Sequence, residues 1–173
     1  IYAPILTYNV YDGLSPGMRF HNRAILNRPF VYDINPTYSI KSETITGSAI
    51  FMVNKDYRNS NLFNVRYSLS GNYFHYAPDA TYLKLNPMVL MQIRGDNFRD
   101  NRKRLIYARQ VIVDRQKSAI VIDNSLEDYS VFNVKYINSR TEVTNHFSFT
   151  GDVQFSGEFG KIFHNQQSLA GIM

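Results

Sequence analysis

The sequence predicts an all-β chain: an antiparallel up-and-down transmembrane β-barrel, complete or partial, with roughly 8–10 strands in these residues. Three observations predict it. Phe63, Val65, Tyr67, Leu69, Gly71 and Tyr73 alternate with Asn64, Arg66, Ser68, Ser70 and Asn72, so one side of the segment is apolar and the other polar. Strand side chains alternate between two faces, and about ten residues is what a tilted strand needs to cross a bilayer. The pattern recurs along the chain, and its polar side leaves no room for the aliphatic core of a soluble sandwich. Aromatic residues are 13 Tyr and 12 Phe with no Trp, and Tyr, with its apolar body and polar tip, suits an interface.

The elements follow in order. Residues 1–11 set Tyr2, Pro4, Leu6, Tyr8 and Val10 against Ala3, Ile5, Thr7 and Asn9. The string Asp12 to Gly17, rich in Gly and Pro, reads as a turn. Residues 18–25 set Met18 and Phe20 against Arg19, His21 and Arg23, and Asn27-Arg28-Pro29 breaks the chain. Strands are then expected over 30–39, with Tyr32 and Tyr38 opposite Asp33 and Thr37, and over 44–54, with Phe51 and Val53 on the apolar side. The 62–74 strand is followed by strands at 81–94, 104–114 (Leu105, Tyr107, Val111 and Val113 on one face), 129–138 and 145–155 (Phe147 and Phe149 against His146 and Asp152). Residues 95–104 read as a charged loop and 166–173 as a tail outside a 1–165 barrel domain. That gives about nine strands, whereas single-chain bacterial barrels have even numbers. A further strand is expected at 117–123 or 161–165, or in residues that complete the barrel from elsewhere. Pro36 and Pro87 lie within expected strands, where Pro marks an edge, an end or a bulge. Connection lengths read from the sequence do not alternate cleanly, so they assign no strand orientation.

Composition narrows the classes. The chain has 173 residues, no Cys and a net charge of +5, so a disulfide framework and thiolate metal sites are excluded. No run of about 20 apolar residues exists for a membrane helix, which does not bear on barrel strands. The chain starts at Ile1, as expected of a processed chain or a piece of a longer one.

Motifs for chemistry are lacking. The four histidines His21, His75, His146 and His164 fall at no metalloprotease spacing, and no nucleophile elbow or phosphate-binding loop occurs. No catalytic residue, cofactor or metal is assigned. On the polar faces Arg19, His21, Arg23, Asp33, Arg66, His146 and Asp152 are candidates to line a polar lumen, where charges are expected to pair or hydrate. Tyr8, Tyr32, Phe51, Phe63, Tyr67, Leu69, Tyr73, Phe147 and Phe149 are candidates to face lipid. The basic run Arg99, Arg102, Lys103 and Arg104 beside Phe98 reads as a solvated loop or a contact for lipid phosphates, and no nucleic acid is expected.

The opening YNVYDGLSPGMRFHNRAILNRPFVYDINPTYS resembles the start of the outer-membrane β-barrel region of large Bacteroidota envelope proteins, including barrels attached to gluzincin-type aminopeptidase domains. RKRLIYARQVIVDR and YSVFNVKYINSRTEVTNHFSFTGDVQFSGEFGKI are similar to later strands of such a barrel. The resemblance implies a bacterial outer-membrane barrel, sometimes anchoring a peptidase domain outside this chain. It carries over no catalytic residue, because the gluzincin metal motif is absent from this sequence. The expected function is membrane anchor, scaffold or narrow channel, with outer-membrane lipid or lipopolysaccharide and other envelope proteins as partners. The alternative is a soluble lipocalin-like barrel with its faces inverted around a small apolar ligand. A secreted β-sandwich, with shorter strands, fits less well.

Overall fold

The computed structural model describes residues 1–23, 28–57, 61–95, 101–120, 128–141, 146–158 and 161–168. The strands are β1 (Tyr2–Asn9), β2 (Gly13–His21), β3 (Phe30–Ser39), β4 (Thr44–Asp56), β5 (Leu62–Ala77), β6 (Ala80–Ile93), β7 (Arg102–Arg115), β8 (Tyr129–Thr141), β9 (His146–Glu158) and β10 (Lys161–Ser168). All ten form one antiparallel up-and-down sheet in chain order, with β1 and β10 as its outer strands and no pairing between those two among the described residues.

Several boundaries differ from the sequence reading. The first turn occupies residues 10–12, and Gly13 (φ 68°) starts β2, so most of the expected Gly/Pro turn is strand. The second half of β10 takes residues 166–168 out of the expected tail. No strand occupies 116–120, and 121–127 lies outside the described residues. β7 begins at Arg102, inside the expected charged loop.

Neither Pro36 nor Pro87 lies at an edge. Ile40 donates to the Leu14 carbonyl and Asn22 to that of Tyr32, so even-numbered residues of β2 and β3 face one another across their ladder. Pro16 and Pro36 therefore both withhold an N–H from this seam, and its register is fixed only at Gly17↔Thr37, Phe20↔Ile34 and His21↔Asp33. Side chains bridge it instead. Ser15 donates to Ser39 at 3.1 Å, Arg19 reaches Asp33, and Asn22 bonds the Phe30 carbonyl and the Tyr32 N–H. The β6–β7 register likewise skips Asn86 and Pro87.

Glycine beside Pro36 lets the sheet crease. A Cβ on Gly17 would stand 2.2 Å from the Pro36 carbonyl oxygen, and one on Gly47 (φ 144°) 2.1 Å from that of Asn35. Close backbone approach and a left-handed φ both require glycine. The resulting curl is large. The Asn9 amide of β1 donates to the His75 carbonyl of β5 at 2.7 Å, whereas four strand spacings in a flat sheet would separate them by about 19 Å.

The curl gives the sheet an inner and an outer face, and the register assigns each residue. Outer rows run Tyr32–Phe51–Leu69–Pro87 and Phe30–Val53–Tyr67–Val89. The outer apolar positions of β5 extend from Phe63 to Tyr73, about 33 Å along the strand, or about 25 Å of height at the usual tilt. Buried apolar residues, among those described, are Val65, Ala77, Ala80 and Val113, while nine buried residues are polar or charged. The usual relation of apolar inside to polar outside is inverted.

One expected face is corrected. Leu105, Tyr107, Val111 and Val113 share a face, but it is the inner one, because Tyr107 stands opposite Leu90 on β6 and Lys135 on β8. Ile106, Ala108 and Ile112 make the outer face of β7 apolar as well, so alternation alone did not distinguish its two sides.

Candidate functional site

The candidate site is the inner wall. Between β1 and β5 it encloses a cavity of about 560 Å³, open on one side, bounded by Thr7, Asn9, Asn35, Thr46, Ser48 and Asn72 among others. Short hydroxyl and amide side chains fall here because they occupy alternate strand positions. They bond one another: Asn35 donates to Ser48 at 3.1 Å, Thr37 to the Thr46 carbonyl at 3.1 Å, and Ser39 pairs with Thr46 at 2.9 Å. These bonds offset the desolvation of Thr37, Ser39 and Thr46, whereas His21 Nδ1, Asn86 Oδ1 and Arg109 Nε on the same face are buried without a hydrogen-bond partner among the described residues.

The charged candidates gather as pairs. Arg19 grips Asp33 with two nitrogens, Nε at 3.0 Å and Nη2 at 2.5 Å, and Arg23 approaches the same carboxylate at 3.3 Å. Asp33 is buried and both arginines are partly exposed, so the two cations cover the carboxylate from its open side. Arg66 donates to Asn54 at 2.7 Å. Asp152 accepts from Asn133 and lies 4.0 Å from Lys135. His21 stands opposite Asp33 on the inner face, but Asp33 is engaged by the two arginines. His146 begins β9, and its side chain lies outside the described residues.

The apolar candidates are on the other face. Tyr8, Phe51, Phe63, Tyr67, Leu69, Tyr73, Phe147 and Phe149 are exposed outer residues and Tyr32 is half-buried there. Tyr107, by contrast, lies on the inner face, opposite Leu90 and Lys135.

Sequence reading missed a buried hub at the end of the sheet. Asp12, in the β1–β2 turn, is 2% exposed. Its Oδ1 accepts from Ser42 at 2.9 Å and lies 2.6 Å from His75 Nδ1, and its Oδ2 accepts from Asn9 at 2.8 Å and the His75 N–H at 3.0 Å. Burial disfavours the charged carboxyl, but the hydrogen bonds from His75, Ser42 and Asn9 outweigh it and hold Asp12 below the usual carboxylate range. The hub ties the turns at 10–12 and 40–43 to the end of β5. No local signal announced it, since Asp12 and His75 are 63 residues apart. Asp79, in the β5–β6 turn, is also held low, by the Ser118 hydroxyl and the Ala119 N–H.

Chemically, the wall can hold water and small polar solutes against its hydroxyl and amide groups. Among the described residues no three His, Asp or Glu side chains converge on a metal-sized space. Compared with known proteins, the chain matches no family model, no curated protein and no solved structure.

Proposed function

We propose that this chain is an integral β-barrel of the bacterial outer membrane, or a large part of one, serving as anchor, scaffold or narrow channel. The observation that carries this reading is the inverted burial. Among the described residues twenty-six large hydrophobic side chains are exposed, including Leu6, Phe20, Phe51, Tyr67, Leu69 and Phe149, whereas the buried apolar residues are Val65, Val113, Ala77 and Ala80. A buried Leu or Phe contributes about 1.5–3 kcal/mol. Even at half that value, the exposed set forgoes tens of kcal/mol in water, several times the about 5–15 kcal/mol by which a domain is stable. Lipid recovers that energy. It also demands that backbone groups be paired, which a β-sheet closed on itself achieves. The belt height of about 25 Å agrees with the apolar band of outer-membrane barrels.

A soluble lipocalin-like barrel would turn the same apolar rows inward around its ligand, and the outer position of Phe51, Tyr67 and Leu69 speaks against that arrangement. No side chain of the inner wall is assigned a catalytic role. The test is extraction and electrophoresis of the full protein. The reading expects extraction only by detergent, and a mobility that changes between unheated and boiled samples. A protein that stays monomeric in plain buffer overturns it.

A further inference from the structure

The two ends of the sheet differ in charge. The end reached by β4, β6 and β8 carries Lys55, Arg94, Arg102, Lys103, Arg104 and Arg140, and Asp56 is the acidic residue described within three positions of a strand end there. The opposite end carries Asp12, Glu43, Asp79, Asp114 and Asp128 with Lys41, Arg115 and Lys117, a net acidic set. Connections at the basic end are 22–29, 57–61, 94–101 and 142–145. At the acidic end four of the five connections are short, 10–12, 40–43, 78–79 and 159–160, and the fifth is 116–128. Outer-membrane barrels keep short turns at the periplasmic side and longer loops outside.

The register aims the cations. Lys55 shares the outer row of Val65, and Arg102, Arg104 and Arg140 share that of Ile106 and Tyr136, so they stand directly beyond the apolar belt on the same face. Arg94 lies over the Phe63 ring at 4.9 Å, and Lys55 over Tyr57 at 5.3 Å, contacts that keep cations at the level of the belt's edge. Arg104 also donates to the Arg94 carbonyl at 2.9 Å. A ligand fitting this face is amphipathic, with acyl chains on the belt and an anionic head at its rim. Arg102 and Arg140 are direct cross-strand partners. Phosphate monoesters carry nearly two charges and accept paired N–H bonds from arginine.

From this we infer that the basic rim binds the phosphate groups of lipid A, the acylated base of lipopolysaccharide, and so fixes the basic end in the outer leaflet. The inference rests on the membrane reading above. The probe is lipid A itself. The full protein is reconstituted in phosphatidylcholine nanodiscs containing lipid A, dephosphorylated lipid A or phosphatidylglycerol, and the lipid co-purifying after detergent exchange is measured. Wild type should retain lipid A over both other lipids. The triple variant Arg102→Gln, Arg104→Gln, Arg140→Gln should retain on the order of tenfold less, and Arg115→Gln with Lys117→Gln at the other end should change little. Equal retention of dephosphorylated lipid A or phosphatidylglycerol by wild type, a readout independent of how the variants fold, overturns the inference. A protein that inserts with heat-sensitive mobility yet shows no preference overturns this inference alone, whereas one that never inserts overturns the membrane reading as well.

Discussion

Along β1–β5 short polar side chains such as Ser15, Thr37, Thr46 and Ser48 predominate on the inner wall and are joined by hydrogen bonds around an open cavity, with Ile5, Val31, Ile50, Met52 and Phe74 set among them. Along β6–β8 the same wall carries Leu90, Leu105, Tyr107, Val111 and Ile137, with Arg109 and Lys135 between them. The outer face does not change in this way. It is Phe51 and Leu69 in the first region and Val89, Phe132 and Val134 in the second. What stays constant across the sheet is what a lipid solvent requires, and the inner wall varies because only local packing and hydration constrain it. Two outer polar residues of the second region are paired with each other, Gln110 donating to Ser130 at 3.1 Å, while the Asn138 side-chain oxygen is buried without a partner among the described residues.

The largest expected effect breaks the outer face. Leu69→Arg puts a cation in the middle of the belt and should destabilise folding into vesicles by about 2–4 kcal/mol. Its neighbour Ser68→Arg, which points inward, should change stability by far less. Urea titrations of both variants in lipid measure the contrast, and equal effects would erase the distinction between the faces.

Asp12→Asn is the next largest, because it weakens the hub that holds β1 against β5. Hydrogen bonds to a charged group contribute about 1.5–3 kcal/mol, and a loss of that order is expected for the variant. The pH dependence follows from the low folded pKa of Asp12. Its stabilisation is fully present above the ordinary aspartate value and is lost as pH falls through the lower folded value. Unfolding midpoints recorded from neutral to strongly acidic pH should therefore converge for wild type and Asp12→Asn at the acidic limit. A constant gap down to that limit would remove the carboxylate from the account.

The smallest effect sharpens the second region. Ser130→Ala should leave Gln110 without its acceptor on the outer face and cost about 1 kcal/mol. Adding Gln110→Leu should restore most of that, and a double variant less stable than the single would contradict the pairing.

Strand existence and most faces were legible in the sequence because a period of two is unambiguous where one side is polar, as in Asn64, Arg66, Ser68 and Ser70. It was ambiguous on β7, where Leu105, Tyr107, Val111 and Val113 oppose Ile106, Ala108 and Ile112, so alternation could not say which of the two sides faces inward. The lumen candidates Arg19, Asp33, Arg66 and Asp152 do reach the inner wall. Their partners Asn54 and Asn133 were not singled out, because pairing across strands depends on register, which alternation does not carry. The Asp12–His75 contact was beyond reach for a stronger reason. It arises from the curl set by Gly17, Pro36 and Gly47, a property of the whole sheet rather than of any segment.

The most direct test of the outer face uses the absence of native Cys. Single cysteines introduced from position 63 to position 73 of β5 can each carry a nitroxide label in the reconstituted protein. Collision rates with oxygen, which concentrates in lipid, and with a water-soluble nickel chelate then report the solvent of each side chain. The account predicts oxygen maxima at 63, 67, 69 and 73 and chelate maxima at 64, 66, 68 and 70. The opposite phase, or no alternation at all, would contradict it.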